Sequence, residues 1–224
     1  MNLGILYSGG KDSNYSMYLA KQAGHEIICL ITMISENKES YMFQTASVSK
    51  TEKQAEAMGL PIIKIKTKGI KEEELVDLKK AIKRAIDKYK IEGIVTGALD
   101  SVYQASRIQG ICDELEIRCI NPLWHKNPEE YWREILDLGF KVMIVRVSAE
   151  GLGREWLGME INKENYEELK RLSRKHNFHL GFEGGEAETF VLWQPMFRKE
   201  LKVINKKISG DGRTWKMEIE VEAG

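Results

Sequence analysis

The sequence predicts an α/β protein, in which a parallel β-sheet carries helices on both faces and a smaller C-terminal α+β domain follows. Three observations lead to this prediction. Short apolar runs alternate with longer amphipathic runs in the first half of the chain, as in successive βα units. The order of elements changes after Pro122. The chain has 224 residues, 42% of them hydrophobic, which suffices for a core domain and a smaller partner. We therefore predict domains at residues 1–121 and 122–224.

Five strands and four helices are predicted before the boundary. Apolar runs place the strands at residues 3–7, 27–31, 61–65, 91–96 and 117–120. The helices are expected at about 12–21, 46–58, 71–89 and 102–115. The third helix has the clearest signal, because apolar residues from Leu75 to Tyr89 recur at steps of three and four. Parallel strands joined by such helices make a sheet whose carboxyl edge is the usual place for a ligand.

The second half has a different pattern. Helices are expected near residues 128–138 and 162–175, with a strand at 141–147 between them and further strands after them. The last two strands, at about 201–208 and 214–221, flank a turn rich in Gly and Asp at 209–213. This turn predicts a terminal hairpin.

Composition limits the function. Lys and Arg number 34 and Asp and Glu also number 34, so the net charge is zero. A general nucleic-acid binder needs an excess of positive charge, so direct binding of nucleic acid is not expected. The start of the chain has no basic leader, and no uncharged apolar run approaches the ~20 residues that span a bilayer. We expect a cytoplasmic protein with no membrane partner.

An anion site is predicted directly after the first strand, in the segment SGGKDS at residues 8–13. A helix begins within this segment, so free backbone N–H groups and the positive end of the helix dipole face one concavity. The loop supplies two glycines that let a phosphate approach closely, two hydroxyls and one positive charge: Gly9, Gly10, Ser8, Ser13 and Lys11. It is not a Walker A loop, because Ile5 and Asp12 stand where that motif needs Gly and Ser or Thr.

Two further segments carry polar side chains near predicted strand ends. Tyr41 and Gln44 follow the second strand, and packing within the loop explains them equally well. Residues 97–107 again run from a strand end into a helix and include Tyr103, Gln104 and Arg107. Gln104 and Arg107 lie three apart on one helical face, although an arginine there is also ordinary on a solvated helix.

A third segment, EGGEAET at residues 183–189, places Glu183, Glu186 and Glu188 around Gly184 and Gly185, with Thr189 at its end. Clustered carboxylates repel one another unless a cation or hydrogen-bond donors compensate them. An exposed acidic turn is the alternative interpretation.

The SGGKDS loop resembles the ATP-pyrophosphatase, or PP-loop, family. This resemblance implies a HUP-like or Rossmann-like sheet and the use of ATP, usually cleaved to AMP and pyrophosphate. It also implies that Lys11 and the loop amides stabilise the departing pyrophosphate and that Asp12 helps to position Mg²⁺, indirectly. The ATP-binding residues implied are Ser8, Gly9, Gly10, Lys11, Asp12, Ser13, Thr32, Met33, Gly97 and Ala98.

Taken together, the loop, residues 97–107, Pro122-Leu123-Trp124 and EGGEAET resemble the diphthine-ammonia ligase family in its archaeal form, over residues 3 to about 195. The resemblance implies that ATP and ammonium convert the carboxylate of diphthine, a modified histidine on translation elongation factor 2, into an amide through an acyl-adenylate. It implies catalytic roles for Lys11, Asp12, Glu183 and Glu186. It implies substrate binding by Tyr41, Gln44, Tyr103, Gln104, Arg107, Glu183, Gly184, Gly185, Glu186, Glu188 and Thr189.

Several alternatives stay open. Diphthine carries a quaternary ammonium, and the three glutamates with Phe190 or Trp193 could cage it; one glutamate could instead deprotonate ammonium. Another acceptor, such as a tRNA base or a small carboxylate, and a sensor that binds ATP or AMP without turnover are the other functions considered. A homodimer is possible. The resemblance also implies that eukaryotic relatives carry extra C-terminal domains.

Overall fold

The computed structural model describes residues 1–37, 47–70 and 72–224. The first sheet has five strands, all paired in parallel, in the order β3-β2-β1-β4-β5. Its strands are β1 Asn2–Leu6, β2 Glu26–Ser35, β3 Ile62–Thr67, β4 Gly93–Val95 and β5 Arg118–Ile120. The predicted α/β class is confirmed. The strand order reverses at β1, and the carboxyl end of such a switch point is where ligands bind in open α/β sheets.

Four helices cover the two faces of this sheet: α1 Lys11–Gln22, α2 Thr51–Met58, α3 Glu73–Tyr89 and α4 Val102–Glu114. Side chains of α1 and α2 join the core on one face, and those of α3 and α4 form a second core on the other face. The prediction that the second helix starts at residue 46 is wrong, because a 3₁₀ turn at Val48–Lys50 precedes α2. Gly59, in the left-handed conformation with φ 69°, ends α2.

The second sheet is antiparallel and has five strands: β6 Lys141–Val147, β7 Glu160–Ile161, β8 Ala187–Trp193, β9 Leu201–Gly210 and β10 Trp215–Ala223. Strand β6 pairs with β7, β8 and β10, and β9 and β10 form the predicted terminal hairpin. Helices α5 Pro128–Asp137 and α6 Lys163–His176 complete this half. Asn127 and Asn162 cap the two helices through their side chains.

The larger hydrophobic core contains residues from both halves of the chain. Leu3 and Ile5 of β1 belong to the same buried cluster as Trp132 of α5 and Phe190 of β8. Residue 122 lies in the connection between β5 and α5, and the domain boundary there stays a prediction. Among the described residues, no helix has both the length and the apolar character of a membrane span.

Candidate functional site

A cavity of about 520 Å³ opens at the carboxyl edge of the first sheet, within the ~300–1,000 Å³ range of small-molecule sites. It is lined by the ends of β1, β2 and β4, by α3 and α4, and by the segments around β6 and β8. Three segments that are far apart in the sequence therefore meet around one space. The lining includes these residues of the predicted sites: Ser8, Asp12, Ser13, Met33, Gly97, Ala98, Gln104, Glu183, Gly184, Gly185 and Glu188.

The SGGKDS loop has the geometry of an anion site. Gly9 has a φ of +83°, which glycine adopts without steric cost, and Gly10 is the N-cap residue of α1. The hydroxyl groups of Ser8 and Ser13 lie 3.3 Å apart at the cavity. The first turn of a helix has backbone N–H groups without intrahelical partners, and the helix dipole adds a partial positive charge. The loop can therefore hold phosphate oxygens with main-chain and hydroxyl donors.

The loop is held in place from the second sheet. The Val191 amide donates to the Gly9 carbonyl oxygen at 3.0 Å, and the Lys11 amide donates to Thr189 Oγ1 at 3.0 Å. Gln54, a buried residue of α2, donates through Nε2 to the same Gly9 oxygen at 3.0 Å and to the Val191 oxygen at 2.7 Å. Thr189, predicted to bind substrate, does not line the cavity and supports the loop instead.

Lys11 does not face the cavity, which differs from the expectation that its charge meets the phosphates. Its side chain is buried, and Nζ lies 2.5 Å from Asp12 Oδ1 and 2.7 Å from the Gly181 carbonyl oxygen. Nζ also lies 5.1–5.8 Å from the centres of three aromatic rings, those of Tyr131, Trp132 and Phe182. An ammonium group is stabilised by such rings. Lys11 thus acts on the cavity through Asp12.

Asp12 lines the cavity and is held by two donors. Besides Lys11, the Tyr131 hydroxyl donates to Asp12 Oδ1 at 2.8 Å. Burial, followed by the nearby Asp12 carboxylate, raises the pKa of Tyr131 well above its ordinary value, so the phenol keeps its proton and remains a donor. Both donors lie on Oδ1, which fixes the orientation of the carboxylate towards the cavity.

Of the three glutamates in EGGEAET, Glu183 is the one most closely joined to the sheet edge. Its Oε2 accepts the backbone N–H groups of Asp100 and Ser101, each at 3.1 Å, and its side chain lines the cavity. Burial, and then the charge of Asp12, raise the pKa of Glu183 above its ordinary value. Glu183 is therefore a carboxyl group whose proton affinity is increased next to the phosphate loop.

The other two glutamates have separate partners, so the three do not form the cage considered as one alternative. Glu186 accepts the amides of His179 at 3.0 Å and Gly184 at 2.8 Å and does not line the cavity. Glu188 lines the cavity and accepts a hydrogen bond from Arg146 Nη1 at 3.1 Å. Neither aromatic residue proposed for the cage lines the cavity: Phe190 is 1% exposed in the core, and Trp193 contacts Phe197.

The segment after β4 approaches the phosphate loop closely. A Cβ at Gly97 would stand 3.0 Å from the Asp12 carbonyl carbon and from the Ser13 amide nitrogen, so a side chain there would push the two segments apart. Gln104, on the first turn of α4, lines the cavity. Gly97, Ala98, Ser101 and Gln104 therefore form one wall of the cavity beside the loop.

Some predicted residues lie elsewhere. The Tyr103 hydroxyl and the Arg107 guanidinium both donate to Glu72 Oε1, at 3.0 and 3.1 Å, and neither lines the cavity. Thr32 is fully buried and donates to the Tyr7 carbonyl oxygen at 2.7 Å, a bond that joins β2 to the end of β1. Tyr41 and Gln44 lie outside the described residues.

Sequence reasoning missed Arg146, Ser148 and Phe182, which also line the cavity. A charged residue inside the apolar run of β6 is a sequence signal that could have identified Arg146. A polar residue on the buried face of α2 is the corresponding signal for Gln54. Phe182 has a φ of +66°, which is unusual for a bulky residue and is a type of strain that concentrates at functional sites.

Comparisons with known proteins find relatives over most of the chain. Residues 1–119 match a family model described as the diphthamide synthase N-terminal domain, and residues 127–222 match one for the diphthamide synthase C-terminal domain. A diphthine-ammonia ligase from Homo sapiens is 34% identical over 228 residues, which cover 93% of this chain and 85% of the relative.

A diphthine-ammonia ligase from Schizosaccharomyces pombe is 30% identical over 91% of this chain but only 36% of its own length. The expected extra length of eukaryotic relatives thus applies to the yeast protein and much less to the human one. A crystal structure of a predicted subunit of tRNA methyltransferase from Methanocaldococcus jannaschii has a TM-score of 0.47 and 19% identity, covering 87% of this chain and 98% of that one.

Proposed function

Because the chain belongs to the diphthamide synthase family, we propose that it is an ATP-dependent ligase that amidates the carboxylate of diphthine on translation elongation factor 2. One observation carries the proposal. The cavity brings SGGKDS, residues 97–104 and EGGEAET together, although more than 170 residues separate the Lys11 amide from its partner Thr189. The products are diphthamide, AMP and pyrophosphate.

In this proposal the two halves of the chain have different roles. Residues 1–121 bind ATP, with the phosphates on the loop and the adenosine against the apolar lining supplied by Ile31, Met33 and Leu78. Residues 122–224 supply the acceptor side of the cavity and the supports of the loop. Gly9 lets α2 pack against the loop, and Gly97 lets the segment after β4 pack against the loop backbone.

Mg²⁺ is part of the proposal. The ion usually binds through one or two carboxylates, water and the phosphates of its substrate rather than in a cage made by protein alone. Asp12, which lines the cavity beside the loop, fits this mode, and the described residues contain no cluster of three or more His, Cys, Asp or Glu that could hold a metal without a substrate. The ion would neutralise negative charge on the phosphates.

The reaction needs two steps because a carboxylate is a poor electrophile. A carboxylate oxygen of diphthine attacks the α-phosphorus of ATP, and the bond to pyrophosphate breaks. Loop amides and hydroxyls of Ser8 and Ser13 then stabilise the charge on the departing pyrophosphate. Ammonia attacks the acyl carbon of the adenylate, AMP leaves, and the nitrogen loses a proton to give the amide.

Glu183 is the best-placed residue to accept a proton from ammonium. One of its oxygens is bound to two backbone amides, and the carboxyl group lines the cavity. Its raised pKa brings the group closer to the operating pH, where a general base is most effective. Glu186 is bound to two amides outside the lining and has a supporting role in this scheme.

The partners proposed are the diphthine-bearing elongation factor and ammonium, and the compartment is the cytoplasm. The three cysteines Cys29, Cys112 and Cys119 are free thiols, which fits a reducing compartment. A homodimer remains a prediction without a surface assigned to it.

The direct test combines the protein with ATP, Mg²⁺, ammonium and diphthine-bearing elongation factor 2. AMP is measured by chromatography, and conversion of acid to amide by mass spectrometry. We expect both products from the wild type and neither from Asp12→Ala. Asp137→Ala is the matched control, because Asp137 is an exposed aspartate at the end of α5 that pairs with Lys163; it should form both products.

The other outcomes separate the alternatives. AMP without amide would keep the adenylation chemistry and assign it to a different acceptor. ATP binding without AMP, with every acceptor tried, would indicate a nucleotide sensor. Equal activity of Asp12→Ala and Asp137→Ala would contradict the role given to the phosphate loop.

A further inference from the structure

One positively charged side chain lines the cavity among the residues that the structure describes, and it is Arg146 of β6. Lys11 faces three aromatic rings, and Arg107 is exposed and bound to Glu72. In contrast, three carboxylates line the same cavity: those of Asp12, Glu183 and Glu188. An incoming anion therefore meets a surface on which negative groups outnumber positive ones.

The position of Arg146 is built into the second sheet. Its neighbours Val145 and Val147 are fully buried, and Arg146 pairs in register with Glu188 on β8. The register shifts between Ile144 and Arg146, so one extra residue of β6 stands between two pairs. Such bulges redirect side chains and are frequent beside active sites. The bulge accounts for a charged side chain that faces the cavity from an apolar strand.

The ion pair also needs a functional explanation. The Arg146 side chain is 22% exposed and that of Glu188 is 9% exposed. Well-packed apolar residues of similar volume would stabilise the sheet at least as well as such a buried pair. The guanidinium has five N–H donors, and the bond to Glu188 uses Nη1. The remaining donors can bind a second carboxylate, in the planar geometry that arginine favours.

We propose that Arg146 binds the carboxylate of the acceptor before its adenylation and that Glu188 is the positioning residue that orients the guanidinium. The inference rests on the proposed function. The acceptor is favoured over ATP because the phosphate loop supplies its own amides and hydroxyls, whereas Arg146 lies on the sheet that carries Ser148 and the Gly184-Gly185 turn. Charge attraction to Arg146 offsets the repulsion between the substrate carboxylate and the three carboxylates of the lining.

Arg146→Lys tests the proposal, because lysine keeps a charge for Glu188 but loses the planar pair of donors. Kinetic constants for the elongation factor are measured by amide formation, and binding of a non-hydrolysable ATP analogue is measured by calorimetry. Loss of a charge-assisted bidentate contact predicts a rise of about tenfold to a hundredfold in the KM for the acceptor. Because Arg146 does not bind the nucleotide in this proposal, the Kd for the ATP analogue should change by less than about twofold. Glu188→Gln keeps one accepting oxygen and should raise this KM less.

Two controls separate recognition from folding. Arg171→Lys changes an exposed arginine that pairs with Glu168 on α6, and it should leave both constants unchanged. The double variant Arg146→Met/Glu188→Met removes the whole ion pair without leaving a buried charge, so it retains the test if Arg146→Lys unfolds. Thermal unfolding of every variant is recorded beside the kinetics.

An unchanged KM for the acceptor in a folded Arg146 variant would overturn the inference and leave the proposed function intact. A parallel loss of affinity for the ATP analogue would also overturn it, because the arginine would then serve the nucleotide. If the wild type forms no amide, the proposed function fails, and the inference fails with it.

Discussion

Gly9→Ala should lower the free energy of unfolding for two reasons: alanine is strained in the backbone conformation of Gly9, and its Cβ would collide with Gln54. Gly9 has a φ of +83°, and an added Cβ would stand 2.5 Å from Gln54 Oε1 and 3.1 Å from Thr51 Cγ2. The substitution therefore forces an unfavourable backbone conformation and also displaces a buried side chain. Gln54 braces the loop and β8 together, so its displacement affects the nucleotide site and the fold at the same time.

The magnitude follows from the two terms. A left-handed conformation costs a residue other than glycine about 1–2 kcal/mol. Movement of Gln54 breaks buried hydrogen bonds to the Gly9 and Val191 carbonyl oxygens, at about 1–3 kcal/mol for the groups left unpaired. We expect a total loss of about 3 kcal/mol in the free energy of unfolding, which for a chain of this size lowers Tm by roughly 6–12 °C.

Gly24→Ala is the matched control for this experiment. Gly24 has nearly the same φ, +84°, but an added Cβ would meet nothing within 4 Å. Its expected cost is the conformational term alone, about 1–2 kcal/mol. Urea denaturation of both variants and titration with an ATP analogue give the comparison. Only Gly9→Ala should weaken nucleotide binding, by about tenfold or more if the loop shifts by enough to lose one charge-assisted bond.

Equal stability of the two alanine variants would refute the reasoning, because the contact with Gln54 would then cost nothing. Unchanged nucleotide affinity in Gly9→Ala would refute the link between the brace and the phosphate site. The double variant Gly9→Ala/Gln54→Ala distinguishes the terms further: removal of the Gln54 side chain relieves the clash but leaves the hydrogen bonds lost.

Three more substitutions test the site. Thr189→Val removes the hydroxyl that accepts the Lys11 amide, so it should lower the free energy of unfolding in urea by about 1–3 kcal/mol and weaken binding of the ATP analogue. Unchanged stability would show that this hydrogen bond contributes nothing. The pKa of Glu183 is raised, so its protonated form stabilises the fold below the unfolded pKa, and this stability is lost as pH rises through the folded pKa. Across that pH range the free energy of unfolding of the wild type should fall relative to that of Glu183→Gln. Parallel pH profiles of the two proteins would contradict this prediction. Lys11→Met keeps an apolar side chain among the aromatic rings but leaves the Asp12 carboxylate without its charged partner, so the free energy of unfolding should fall by up to about 3–5 kcal/mol. AMP formation by the folded variant should also fall, because Asp12 loses a donor; full AMP formation would exclude the positioning role.

The strands and the phosphate loop could be predicted because their signals are local. SGGKDS is contiguous, and its strand-loop-helix setting can be recognised from neighbouring residues alone. The first half also alternates short apolar and longer amphipathic runs, a pattern typical of a parallel sheet. The start of α2 was misjudged because residues 48–50 form a 3₁₀ turn, and helix ends depend on hydrogen bonds that periodicity does not report.

The direction of individual side chains was less predictable. Lys11 belongs to the loop by sequence, yet its charge is directed away from the cavity because the aromatic rings that surround it come from residues 131, 132 and 182. The glutamates of EGGEAET are neighbours in sequence, but most of their partners come from three other segments, around residues 100, 146 and 179. Contacts of this kind are set by the tertiary fold, so local patterns in a single sequence do not predict them.

The hydrogen bonds that support the phosphate loop from β8 also have a consequence for the synthesis of the protein. The acceptor of the Lys11 amide, Thr189, lies 178 positions further along the chain, so it exists only after the ribosome has added that many more residues. A nascent chain can pair all five strands of its first sheet before this point, but its loop still lacks the partners that hold it. The loop therefore gains its supports only after β8 has been synthesised, and we expect truncated copies that end before residue 187 to bind an ATP analogue more weakly than the whole chain.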